Sequence, residues 1–500
     1  EPWNTYDNRL SAVACTPATG AANKNCPAPQ ALWDQMYYGI ASCNTLIAKA
    51  DLLSDAKTRQ FCLAHAYFLR GYNYYRLAAQ YGAVVLQTTP PAGVIRNFTR
   101  ATEAETWEQV ISDLRQAYNL FEGEDFRYGK GVTWTKATAA HFLAKALLYR
   151  QSERCTWKSN YPAKADLDRA IKLCDEVISA RGLEADYNNL YANWTGVDCA
   201  IEKSSEVLMA ALHNEASTTQ GRFGNRSYNY FSPQFNTFSA GWVPRGQYIG
   251  AMDFQRCRPT EYTYALFDNV NDSRMWKTFK TVYGICNYVA TPDYVAPENA
   301  PTLGDQGIVF LLNKKDDMRF RKSEFGNGKT EHTFINPETG KWVPNVVPIY
   351  ADGEYVMNQY GTTAPNRANM YCGINKTDDG SRTAEKGDAH RDVTMARVGE
   401  TYLVKAECQV RNGDDAGALE TINALRKRAE WKEGEDREYY VDGSIAFKKN
   451  STASSNTAKS AVRPPLPSAK PAYAMNCKPV QFLCLSLLSG ASKRISQNIM

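Results

Sequence analysis

The sequence predicts a mainly α protein. Four tetratricopeptide-like helical hairpins would form an α–α superhelix, interrupted by a large irregular, loop-rich insert with little sheet. Three observations carry this expectation. Residues 31–182 hold successive stretches whose apolar residues recur at spacings of three and four, the mark of helices with one buried face. Residues 63–82 form a single aromatic-dense segment with small residues set among the rings. Residues 396–430 then repeat the helix–turn–helix pattern after some 200 residues that lack it.

Residues 1–30 read as an N-terminal loop segment. A first helix over 31–50 places Leu32, Met36, Ile40, Cys43 and Ile47 on one face. The aromatic helix follows Ser54, a residue type suited to the N-cap, and ends at Gly82. Its Phe61, Ala64, Phe68, Tyr72 and Tyr75 share a face, while Ala64, Ala78 and Ala79 leave room for a neighbouring helix. Residues 83–102, with Pro90 and Pro91, read as extended loop. Helices are expected over 103–121, 135–153 and 163–180. The last carries the clearest stripe: Leu167, Ala170, Ile171, Cys174, Val177 and Ile178.

The pattern fades over 183–395, a stretch rich in Gly, Pro, Asn, Tyr and Trp in which only short strand-like pieces appear, such as Glu206–Ala211 and Gly307–Leu312. Long loops of this kind are usually functional, so this insert is the expected ligand-binding region. The fourth hairpin, 396–430, turns at Asn412–Gly413, with Asp414 capping its second helix. A solenoid repeat buries its faces only against neighbours, so the chain must fold back and dock this hairpin on the earlier ones. Residues 431–500 read as an irregular, low-order tail.

The 500 residues carry a net charge of +5, but no Asp or Glu follows Asp442. Removing the tail's eight basic residues from the total of 58 leaves 50 against 53 acidic residues, or −3 for the main body. No nucleic-acid footprint is expected from that balance. The 13 cysteines form no CxxC pair. Cys43, Cys62, Cys174 and Cys408 fall on helix faces as small buried hydrophobes, and Cys15 and Cys26 are candidates for a disulfide in the N-terminal loop. None of the five histidines has metal-ligand spacing. Gly328–Lys329–Thr330 lacks the preceding glycine of a phosphate loop, and no nucleophile elbow occurs. No catalytic residue, metal or cofactor is expected. His65 and His141 read as packing or capping residues.

Binding chemistry is better supplied. The C–H faces of sugars stack on aromatic rings, and their hydroxyls bond to amides and carboxylates. The insert offers Phe223, Asn225, Arg226, Tyr228, Tyr230, Phe231, Trp242 and Tyr248, and the N-terminal loop adds Trp3, Asn4 and Tyr6. Trp276 and Trp342 read as structural.

Two segments share one further pattern. Ala64–Gly82 contains Phe68–Leu69–Arg70 and Gln80–Tyr81–Gly82. Arg397–Ala429 contains Tyr402–Leu403, Ala406–Glu407, Asn412–Gly413–Asp414, Ile422–Asn423 and Leu425–Arg426–Lys427–Arg428–Ala429. With the Thr135–Tyr149 helix and the Gly241–Trp242 pair, residues 1–442 resemble the SusD/RagB family of Bacteroidetes outer-membrane lipoproteins. The resemblance implies four tetratricopeptide-like units supporting an irregular ligand-binding region. It also implies a cell-surface protein that binds glycans or other nutrients and works with a SusC-like TonB-dependent transporter. In the family pattern a lipidated cysteine and further helices precede the stretch matched here. A Glu-Arg-x-Arg-Glu-Leu-like helix follows the position of Ala429, and no such stretch occurs in this sequence. Trp3 and Trp242 resemble the family's stacking positions. The ligand-binding residues expected on these grounds are Trp3, Asn4, Phe223, Tyr228, Tyr230 and Trp242. A protein-interaction scaffold and a helical glycoside hydrolase are the alternative readings.

Overall fold

The computed structural model describes residues 27–190 apart from 91, 95 and 125–132, residues 202–213 apart from 203, and shorter stretches between 227 and 432. The N-terminal segment before residue 27, with its candidate Cys15–Cys26 pair, and the tail after residue 432 lie outside the described residues.

Five helices open the fold: α1 (Pro27–Lys49), α2 (Ala56–Tyr81), α3 (Glu103–Leu120), α4 (Lys136–Arg150) and α5 (Ala163–Arg181). Each packs on the next in sequence. The aromatic face of α2 is the expected one, with Ala64, Phe68, Tyr72 and Tyr75 all buried. Asp55 rather than Ser54 caps the helix, accepting from the Thr58 amide at 2.7 Å, and Gly82 ends it at φ +71°. Thr102 and Glu105 close a capping box at the start of α3, each side chain accepting from the other's backbone amide. Gly71 is where α2 and α3 approach most tightly. A Cβ there would lie 3.1 Å from atoms of both Asp113 and Leu114. Beside it, buried Arg70 donates two hydrogen bonds to Asp113 at 2.7 and 2.8 Å and a third to Asn44, tying α1, α2 and α3 together.

Helix α4 is buried on nearly all sides. Every residue from Ala137 to Leu148 is buried, so the helix has no solvent face to mark with polar residues. Its neighbours are α3, α5, strand β1 (Val207–Ala211) and, from the far end of the chain, helix α9 (Val398–Arg411). Together with α10 (Asp415–Ala429), α9 forms the last hairpin. Gly413 turns at φ +83°, and Asp414 caps α10 by accepting from the Gly417 amide at 2.9 Å.

The last hairpin docks as the sequence required. Helix α9 packs along α5, with Lys405 on Asp175 at 2.7 Å, Arg411 on Glu153 at 2.8 Å and Asn412 on Asp168 at 2.7 Å. The buried thiols Cys174 and Cys408 belong to the same apolar core. Strand β9 (Val393–Arg397) runs into α9 and pairs antiparallel with β1, so the two ends of the insert are hydrogen-bonded to each other.

The insert's sheet is limited to short pieces, as expected, and includes several beside Glu206–Ala211 and Gly307–Leu312. Helices α6 (Ser227–Phe231), α7 (Glu261–Ala265) and α8 (Arg274–Thr278) are single turns or little more. Strands β3 (Val282–Gly284), β4 (Gln306–Leu311) and β5 (Asn345–Pro348) form a three-stranded sheet, antiparallel then parallel. Three shorter pieces complete two further pairs: β2 (Phe279–Lys280) with β8 (Gly373–Ile374), and β6 (Tyr350–Ala351) with β7 (Glu354–Tyr355). Apart from β4, which falls on the strand-like piece 307–312, these strands escaped sequence reading for two reasons. Most have two to four residues, too few for alternation to register. In addition, β5 is buried on both faces and reads as a short apolar run. A second apolar core, including Trp242, Tyr264, Phe279, Tyr283, Phe310 and Trp342, lies beneath them.

Candidate functional site

The β3–β4 connection is long for a hairpin loop, and its neck is closed by two backbone bonds: Ile285 N–H to Asp305 O at 2.8 Å and Gly304 N–H to Ile285 O at 2.9 Å. Asp305 also accepts from the Thr302 amide and hydroxyl, which fixes the return. Within the loop, Val289 and Val295 turn down onto the second core. The alternate direction carries Tyr288, 70% exposed, and Tyr294, 48% exposed. This half-buried alternation is what pins an otherwise irregular segment.

The loop is anchored from below by an aromatic column. Tyr294 meets Trp342 in a T-shaped contact with centroids 6.0 Å apart, and Trp342 meets Trp242 in the same way at 6.0 Å. Both tryptophans are buried, so their rings fix the tyrosine rather than face solvent. The Trp342 amide donates to Asn299 O at 2.9 Å, and Lys341 Nζ donates to Glu298 O at 3.1 Å. Exposed Asn287, Asp293 and Glu298 supply polar groups along the same loop. Rings held this way lose little freedom on binding, so the arrangement suits stacking on a flat apolar face with hydrogen bonds at its rim.

The expected site residues are placed unevenly. Trp3, Asn4 and Phe223 lie outside the described residues, as do Asn225, Arg226 and Tyr248. Tyr228 lies in α6, and Tyr230 on the same helix is 40% exposed. Trp242 needs correction as a stacking ring. It is 4% exposed and wedged against Trp342, so it serves the core of the insert. Trp342 is structural, as expected. His65 packs between Phe61, Phe121 and Trp134, and His141 is buried against the last hairpin. Cys43, Cys174 and Cys408 are buried as expected, whereas Cys62 is half-buried.

Tyr288 and Tyr294 were missed. The usable signal was a stretch rich in Asn, Tyr and Pro lying between two apolar runs, 282–285 and 307–312. Burial pushes the Tyr264 phenol and the Cys372 thiol in the core below well above their ordinary values, so both stay neutral.

A helical-hairpin scaffold carrying a tyrosine-bearing insert defines the class of protein. Two family models match this chain: "Starch-binding associating with outer membrane" over residues 11–148, and "SusD family" over residues 205–463. The second covers more than half of the sequence, and the chain belongs to the SusD family.

Among curated proteins, SusD-like protein P2 of Formosa agariphila is 29% identical over 174 residues, which cover 33% of this chain. The chain spans 31% of the length of that relative. Among solved structures, a SusD superfamily protein from Parabacteroides distasonis superposes with a TM-score of 0.50 at 17% identity, over 81% of this chain and 68% of that one. A laminarin-binding SusD-like protein gives a TM-score of 0.50 at 16% identity, over 80% and 70%. At such identities these likenesses establish the fold. Among the described residues, no helix is long and apolar enough to cross a membrane.

Proposed function

We propose that this chain is a cell-surface, glycan-binding component of an outer-membrane nutrient-uptake complex, and that it binds its ligand without chemically altering it. The exposed tyrosines of the insert, Tyr288 and Tyr294 with Tyr230 on α6, stack on sugar rings while loop amides and carboxylates bond the hydroxyls. The ligand then passes to a SusC-like TonB-dependent transporter. The observation that carries this reading is the pinned β3–β4 loop, in which a buried tryptophan pair holds Tyr294 open to solvent. Membership of the SusD family supports it, as does the description of one matching model as starch-binding and of one structural neighbour as laminarin-binding. Residues 183–395 act as the ligand-binding unit and the helical hairpins as its support.

Isothermal titration with oligosaccharides of laminarin and of starch tests the reading. Binding to at least one is expected, and Tyr288→Ala with Tyr294→Ala weakens it by roughly tenfold per ring lost. Undiminished binding in the double variant moves the site elsewhere, and no binding by the unaltered chain removes the glycan reading.

A further inference from the structure

The loop that carries Tyr288 and Tyr294 is one-sided in charge. From Ile285 to Asp305 it holds Asp293, Glu298 and Asp305 and no Lys, Arg or His. Lys341 brings one ammonium to it, donating to the Glu298 carbonyl at 3.1 Å. Three carboxylates against one ammonium leave the loop and this anchor at −2.

The carboxylates differ in what they are free to do. Asp305 is spent on the neck, accepting from the Thr302 amide at 2.7 Å and the Thr302 hydroxyl at 2.9 Å. Asp293 and Glu298 are exposed, and neither side chain enters a hydrogen bond or ion pair among the described residues. Asp293 directly precedes Tyr294. A ligand stacked on that ring therefore lies within a Debye length of its carboxylate, roughly 10 Å at about 0.1 M salt. An ionised carboxylate only accepts hydrogen bonds. It takes the hydrogens of sugar hydroxyls, and it repels a carboxylate or sulfate on a ligand.

The rest of the rim does not help an anion either. Leu303 at the neck and Ile335, which bridges to the backbone of Trp342, are both exposed. A charged group laid against these side chains loses hydration and gains no donor. Proteins hold anions through Arg forks or Lys ammoniums, and the loop itself carries neither.

We infer that the tyrosine loop selects an uncharged glycan and rejects polysaccharides that bear uronate or sulfate. This rests on the glycan-binding role proposed for the loop and adds the class of sugar to it.

Isothermal titration of the full chain with three forms of one oligosaccharide tests the inference. The first is the laminarin or starch oligosaccharide, whichever binds more tightly. The second is the same molecule oxidised at its primary hydroxyls to glucuronate, and the third is the primary amide of that product. The amide matches the carboxylate in size and lacks its charge. At about 20 mM salt the amide is expected to bind at least roughly fivefold more tightly than the carboxylate form. In about 0.5 M sodium chloride that margin falls to roughly twofold or less. It falls likewise at low salt in the Asp293→Asn, Glu298→Gln double variant. Equal affinities at low salt, or a margin unmoved by salt or by the double variant, overturn the inference and leave the glycan reading in place. Binding of none of the three forms overturns the glycan reading and the inference with it.

Discussion

Glu206 is fully buried and accepts from four donors. The Arg397 and Arg428 guanidiniums each reach it at 2.5 Å, the Glu184 amide at 2.8 Å and the Gly399 amide at 3.3 Å. One carboxylate thus fastens the segment after α5, the start of β1, the start of α9 and the end of α10. Removing its charge leaves two guanidiniums facing a neutral amide in a closed site, which costs about 3 kcal/mol or more. Glu206→Gln is therefore expected to lower the free energy of unfolding in urea by that order, and an unchanged midpoint would contradict the assignment. Nothing in the sequence announced this role. Glu206 read only as the first residue of a strand-like piece, because its charged partners lie 191 and 222 positions away and no local pattern links them. Asp55, by contrast, was one residue from the predicted cap, since Ser and Asp compete for that position on nearly equal terms.

At the scale of elements, the seam between α4 and α9 is where the fold-back is held. Lys145 Nζ lies 2.6 Å from Glu400 Oε1, His141 Nε2 lies 3.2 Å from Glu400 Oε2, and the Thr401 hydroxyl lies 2.9 Å from His141 Nδ1. Burial alone would raise the Glu400 carboxyl, but Lys145 and His141 beside it hold it well below the usual carboxylate range. Burial pushes the His141 imidazole below its ordinary value, so it stays neutral in the fold. Both shifts act in the same direction. The unfolded chain takes up protons on His141 below about pH 6.5 and on Glu400 below about pH 4.5, while the folded chain resists. Stability is therefore full above about pH 6.5 and falls as the pH is lowered through that value and again below about 4.5. Thermal melts between about pH 7.5 and about pH 4 should show a decline that is shallower in His141→Gln above about pH 5. An identical profile would contradict the role given to this seam.

Gly71 supports a second prediction at this scale. With α2 and α3 so close there, Gly71→Val forces the helices apart and destabilises by about 1–3 kcal/mol, read from the same urea curves. A more stable variant would mean that the approach is slack. The helices themselves were legible because each of α1, α2, α3, α5, α9 and α10 has a polar side, and that contrast is what periodicity detects. The short strands were not, since pairs of two residues carry no period.

Over the whole molecule, two apolar cores divide the work. The helical core runs from α1 to the last hairpin, and the second core carries the tyrosine loop. The need for a returning hairpin was legible because a solitary repeat cannot bury its own faces. The direction of each aromatic was not. Trp242 and Tyr294 belong to one column of rings, yet only the surrounding packing decides that the tryptophan lies inside and the tyrosine outside. Sequence reading set Trp242 beside Tyr228 and Tyr230 as a candidate because its position resembles the family's, and the structure buries it while exposing Tyr288 and Tyr294. The glycan account also predicts that Trp342→Ala weakens binding without touching the ligand, because Tyr294 loses its backing. Tyrosine-to-phenylalanine changes at 288 and 294, by comparison, retain most of the affinity, with titration as the check.

Affinity electrophoresis of the unaltered chain beside the Tyr288→Ala, Tyr294→Ala double variant, in gels containing laminarin, starch or no polysaccharide, tests the central claim most directly. The account predicts that at least one polysaccharide retards the unaltered chain and that the double variant runs as in the blank gel. Equal mobility of the unaltered chain in every gel, or equal retardation of both proteins, would contradict it.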